Sequence, residues 1–101
     1  MGKLSFDARV IAQSVFGFGD KSTLRIGGKG AQHILTQRSE AAINELVEAG
    51  YLEARTYNDY GRMEYQGTER LSEIPKLSFE EMEEHGRFKL TRPSGGDRHG
   101  E

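Results

Sequence analysis

The segment from Ser39 to Thr68, SEAAINELVEAGYLEARTYNDYGRMEYQGT, leaves the chain few folds to choose from. Ile43, Leu46 and Val47 recur at helical spacing, with Ala42 one turn before Leu46, so one stripe of a helix is apolar. Ala41, Asn44, Glu45 and Glu48 take the opposite side. Ser39 stands where a side-chain oxygen can cap the first turn, and Glu40 follows where a carboxylate suits the helix dipole. Gly50 comes just past the last apolar turn, the position where a left-handed stop costs glycine least. Beyond it the period changes from 3.6 to 2. Leu52, Ala54 and Thr56 alternate with Glu53, Arg55 and Tyr57; after Asn58 to Gly61, Met63 and Tyr65 alternate with Arg62, Glu64 and Gln66. Period two on both sides of an Asn/Asp/Gly turn predicts a hairpin. Leu52, Ala54, Met63 and Tyr65 are expected to face inward, and Arg55, Tyr57, Arg62 and Glu64 to face water.

The flanks supply the rest. From Ser5 to Phe16 a second amphipathic helix is expected, capped by Ser5, with Ala8, Ile11, Ala12 and Val15 on one side and Phe16 or Phe18 closing the core. Thr23 to Ile26 suits a short strand with Leu24 and Ile26 on one face. Ala31, Ile34 and Leu35 predict a short helix, and Thr36 to Arg38 a turn into Ser39; the rival reading merges 30–49 into one long helix. Glu69 to Ile74 reads as a helical turn or coil, interrupted by Pro75. Ser78 and Glu81 have capping-box spacing for a helix to about His85, with Phe79 and Met82, joined by Phe88 and Leu90, as a small apolar patch. Residues 91–101 are polar, with Pro93 and Gly95-Gly96, and are expected to be a disordered tail behind one domain over 1–90.

The second half of this plan resembles a winged helix-turn-helix domain. The residues that carry the likeness are Leu46, Val47, Ala49-Gly50-Tyr51-Leu52, Arg55, Gly61-Arg62, Tyr65 and Thr68. Gly67 departs from the pattern, which often has an apolar residue there. The likeness covers about a third of the chain directly. It implies an α+β fold, a small winged-helix domain in the order helix, strand, helix, helix, hairpin, with a short C-terminal helix added.

Other chemistries find little footing. With 101 residues the chain has room for one modest core. It has no cysteine, so neither a disulfide framework nor a thiolate metal site can form. Gly17 to Thr23 mimics a phosphate loop but lacks its spacing and its preceding strand. Glu81 and His85 lie one helical turn apart without a second cluster to complete a metal site. No serine or histidine sits in a nucleophile motif. No enzyme, cofactor or metal is expected. The start of the chain shows neither a signal peptide nor a membrane span, and a cytoplasmic protein is expected.

Function is expected from the resemblance. In that family the third helix enters the major groove and the wing touches phosphate or the minor groove. Carried over, the nucleic-acid contacts are Arg38, Ser39 and Asn44 on the helix, Arg55 and Arg62 on the wing, and Lys29 near the expected second helix. The partner implied is double-stranded DNA in transcription regulation. Charge complicates this. Residues 1–38 carry six basic and two acidic residues, while the rest carries eight basic and fourteen acidic, for a total of −2. Glu40, Glu45 and Glu48 would bring carboxylates to phosphates. DNA is therefore expected at the basic rim of Lys21, Arg25, Lys29, Arg38 and the wing arginines. The alternative is a protein-interaction module that uses the acidic helix face with Tyr57 and Tyr60.

Overall fold

The computed structural model describes residues 4–17, 23–85 and 88–93. Its architecture is α+β: α1 (Phe6–Ser14), β1 (Thr23–Ile26), β2 (His33–Leu35), α2 (Gln37–Glu48), β3 (Leu52–Thr56), β4 (Met63–Gly67), a 3-10 turn (Glu69–Glu73), α3 (Phe79–His85) and β5 (Thr91–Pro93). Strands β1, β4 and β3 form one antiparallel sheet in that order. Strands β2 and β5 form a separate antiparallel pair.

Helix α1 starts because Ser5 caps it, its Oγ accepting from the Ala8 N–H at 3.1 Å. Its apolar side, Ala8, Ile11 and Ala12, packs with Ala42, Ile43 and Leu46 of α2 in one core. Phe16 closes that core and is fully buried; Phe18 lies outside the described residues. Leu71 and Ile74 add apolar volume from beyond the hairpin. Each fully buried Ile or Leu is worth about 1.5–3 kcal/mol over its exposed state. Helix α2 ends as its glycine predicts. Gly50 takes φ +89°, its N–H donates to the Val47 carbonyl at 3.0 Å, and the Tyr51 N–H donates to the Leu46 carbonyl at 2.9 Å. This is the Schellman arrangement, which satisfies carbonyls the helix leaves open.

The hairpin has the parity expected of it. Leu24 and Ile26 stand opposite Tyr65 and Met63, and these opposite Ala54 and Thr56, on the face turned to the helices. Arg25, Glu64 and Arg55 are in register on the other face. Two members behave differently from expectation. Ala54, on the inner face of edge strand β3, is exposed. Glu64, expected in water, is only 3% exposed because two arginines cover it. Gly67 is paired with Leu52, so β4 runs to its end despite the missing side chain.

Three further expectations are corrected. The short helix over Ala31 to Leu35 is instead β2. Five residues behind a glycine cannot carry the cost of helix nucleation, whereas pairing with β5 supplies backbone partners at once. The order is accordingly helix, strand, strand, helix, hairpin. Helix α2 begins at Gln37, capped by Thr36, whose Oγ1 accepts from the Ser39 N–H at 3.1 Å. Ser39 is thus in the first turn and not the cap. Finally, Thr91–Pro93 are ordered as β5, held by β2; residues 94–101 of the expected tail lie outside the described residues. The Ser78–Glu81 capping box forms in both directions, at 2.8 and 3.1 Å, and starts α3. Phe88 and Leu90 pack on the main core, and Phe79 and Met82 are left exposed. Among the described residues no helix is long and apolar enough to cross a membrane.

Candidate nucleic-acid interface

The loop between β1 and β2 and the tip of the β3–β4 hairpin are joined by their backbones. Gly27, Gly28 and Gly30 all take positive φ, which lets the loop turn sharply where a side chain would be strained. The loop then reaches the hairpin tip, where the Lys29 N–H donates to the Tyr60 carbonyl at 2.8 Å. A Cβ on Gly28 would stand 3.1 Å from the Arg62 backbone nitrogen, so this approach depends on glycine. The tip is itself braced: Asn58 Oδ1 accepts from the N–H groups of Tyr60 and Arg62 at 2.9 and 3.2 Å.

Beside this junction lies an open cleft lined by Arg25, Arg62, His33, Gln32 and the glycines 27 and 30. No carboxylate is among the described residues lining it. Lys29 is exposed next to it, and neither Lys29 nor Arg62 has an ion pair among the described residues.

Arg25, which lines this cleft, also belongs to the outer face of the three-stranded sheet. There Arg25 Nε donates to Glu64 Oε2 at 3.0 Å, and Arg55 Nε donates to Glu64 Oε1. The Glu64 carboxyl is held below the usual carboxylate range, first by the bond from Arg55 and further by that from Arg25, against the opposing effect of burial. It stays ionised and neutralises one of its two partners, so the row keeps one net positive charge. Both guanidinium groups remain accessible, Arg25 at 46% and Arg55 at 73% of the side chain. The Arg25 guanidinium also lies 4.0 Å over the Tyr57 ring.

The residues singled out from the sequence are sorted unevenly by this geometry. Lys29 and Arg62 come together at the tip of the β3–β4 hairpin, and Arg55 stands on the outer face of the sheet beside Glu64. Arg38, Ser39 and Asn44 do not join them. Arg38 is turned to α1, where its Nε and Nη2 bond both oxygens of Asp7 at 3.0 and 2.5 Å, and its guanidinium lies 5.0 Å from the Phe88 ring. Asp7 raises its pKa, so the charge is permanent but already neutralised. Ser39 is fully buried, its Oγ 3.2 Å from the Lys89 carbonyl, and cannot touch a nucleic acid. Asn44 is exposed but is flanked one turn away on each side by Glu40 and Glu48.

Arg25, Gln32 and His33 line the cleft without being among the contacts expected from the sequence. Arg25 was placed only in the general rim; its register with Glu64 could have been read from strand parity. His33 falls in the stretch expected as a helix, and no signal in the sequence places it here without the β2–β5 pairing. Among the described residues no group of three His, Asp or Glu side chains could hold a metal ion. No protein-family model matches this chain, and no curated protein or solved structure matches it either.

Proposed function

We propose that the chain is a winged-helix variant, with β2 in place of the second helix, that binds nucleic acid through phosphate contacts at the wing. Two features support the winged-helix reading: the helix, glycine and hairpin run, and a sheet in which β1 pairs with the hairpin's return strand. The observation that carries the binding reading is the convergence of Arg25, Arg62 and His33 on a cleft lined by no carboxylate among the described residues, beside exposed Lys29. Phosphate neutralisation supplies most of the affinity of such contacts.

Helix α2 is not the contact in this reading. Its exposed polar face offers Glu40, Asn44 and Glu48, and Arg38 is occupied by Asp7. The competing reading, a protein-interaction surface on the acidic face of α2, loses Glu45, whose two oxygens are both taken by Ser5.

The test is a titration of isotope-labelled protein with a mixed-sequence oligonucleotide at about 50 and about 200 mM salt. Amide shifts are expected at the 27–30 loop, Tyr60 and Arg62, and not at Arg38 or Asn44. The shifts should fade at the higher salt. Absence of shifts at the lower salt removes the proposal.

A further inference from the structure

We infer that the wing face takes single-stranded nucleic acid, with unpaired bases stacked on Tyr57 and Tyr60; this deepens the phosphate-binding reading and rests on it. The two rings are 43% and 66% exposed, the largest aromatic exposures outside α3 among the described residues. Each lies near a cation, Tyr57 against the Arg25 guanidinium and Tyr60 in the tip bonded to the Lys29 amide, with the exposed Asp59 directly before Tyr60. Tyr57 continues the outer-face parity of Arg55, and Tyr60 sits at the hairpin tip that holds Lys29.

Their settings favour stacking. The Arg25 guanidinium lies 4.0 Å from the Tyr57 ring centroid, and Tyr57 keeps 43% of its surface exposed. The tip that carries Tyr60 is fastened by Asn58 and by the Lys29 amide, so its backbone is already in place. A fixed aromatic ring accepts any base by its π-face, and neighbouring arginines bind the phosphates between bases. The outer face of β1, β4 and β3 carries Arg25 and Arg55 with the buried Glu64 between them and the exposed Glu53 beside Arg55, and Arg62 stands just before β4.

A duplex would waste this arrangement. Its bases are stacked inside and present edges, not faces, to a protein. Reading those edges needs an element that enters a groove, and the exposed side of α2 is acidic with Ser39 buried. An unpaired strand can instead lie along the sheet, its phosphates toward Arg62 and Arg25 and its bases toward the rings.

The deciding measurement is fluorescence anisotropy of the full chain with three labelled strands of about 15 nucleotides: oligo-dT, an abasic strand of the same length, and a mixed-sequence duplex. Oligo-dT is expected to bind about tenfold tighter than the other two. Tyr60→Ala, which leaves Arg25 untouched, should weaken oligo-dT binding about tenfold, and Tyr60→Phe should restore it. Tyr57→Ala should weaken it as well, with Tyr57→Phe again restoring it. Abasic or duplex binding equal to that of oligo-dT, with Arg62→Ala weakening all three, overturns the single-strand inference and leaves the phosphate reading standing. Failure of all three strands to bind at low salt overturns both.

Discussion

Glu45 of α2 receives both polar groups of Ser5, the backbone N–H at 2.8 Å and the hydroxyl at 2.7 Å. The second bond matters for α1. With its proton committed to Glu45, the Ser5 oxygen turns its lone pairs to the first turn and accepts from Ala8. One carboxylate on the second helix therefore orients the cap of the first. A cap is worth about 1 kcal/mol. Ser5→Ala and Glu45→Ala should each destabilise by about 1 kcal/mol, and the double variant by clearly less than their sum, measured by urea denaturation. Additive losses would mean that the two residues act separately.

The exit of α2 is built with similar economy around Gly50 and Arg70. Arg70 Nη1 donates to the Ala49 carbonyl at 2.7 Å, and its guanidinium lies 4.6 Å from the Tyr51 ring. A Cβ at Gly50 would come within 2.7 Å of that nitrogen. Gly50→Ala is expected to cost about 1–2 kcal/mol from the left-handed backbone alone, plus the displaced arginine bond. Arg70→Ala should then cost much less in the Gly50→Ala background than in the natural chain. Equal costs in both backgrounds would show that the arginine does not respond to the added methyl group.

The helix, stop and hairpin from Ser39 onward were legible because each depends on neighbours in sequence. Apolar spacing sets the buried stripe of α2, Gly50 supplies a conformation other residues resist, and alternation sets which hairpin residues share a face. Ser5 and Ser78 were legible as caps for the same reason. The errors lie where a distant segment decides. Ala31 to Leu35 has some helical spacing, but its backbone partners are Thr91 to Pro93, nearly sixty residues away. Ser39 has the chemistry of a cap, but Thr36 takes that role and the Ser39 hydroxyl is bonded to the Lys89 carbonyl, fifty residues on. Charge was misleading in the same way. Arg38 read as a free cation, and only the packing of α1 against α2 reveals Asp7 beside it.

Acid should loosen the contact between α1 and α3 in a defined window. Arg9 Nη1 and Nη2 bond Glu81 Oε1 and Oε2 at 3.1 and 2.5 Å, and the Ser78 N–H also donates to Oε1 at 2.8 Å. The arginine bond first, and then the Ser78 amide, lower the Glu81 pKa from 4.5 to about 2. As pH falls below 4.5 the unfolded chain takes up the proton before the folded one does, so folding weakens. The stabilisation is complete above that value and is lost as pH falls through about 2. The natural chain should therefore lose stability more steeply than Glu81→Gln across this range, followed by urea midpoints at each pH. Parallel curves for the two proteins would mean that the ion pair does not form in solution.

Glu64 is the residue through which stability and binding oppose each other. It is buried under Arg25 and Arg55 and holds both guanidinium groups against the sheet. In Glu64→Gln the shape is retained, but the charge-assisted bonds become ordinary ones and the row of three residues goes from one net positive charge to two. The thermal midpoint should fall, since two cations then face each other with no anion between them. Nucleic-acid binding should move the other way. Both arginines become available to phosphates, so affinity at low salt should rise. The slope of log affinity against log salt should steepen by roughly one phosphate's worth, about 0.7 for a single strand. Glu53→Gln, two residues from Arg55 on the same outer face but in no ion pair among the described residues, serves as the control for a general change of charge. If Glu64→Gln and Glu53→Gln shift the salt slope equally, the arginine row is not the place where phosphate is held.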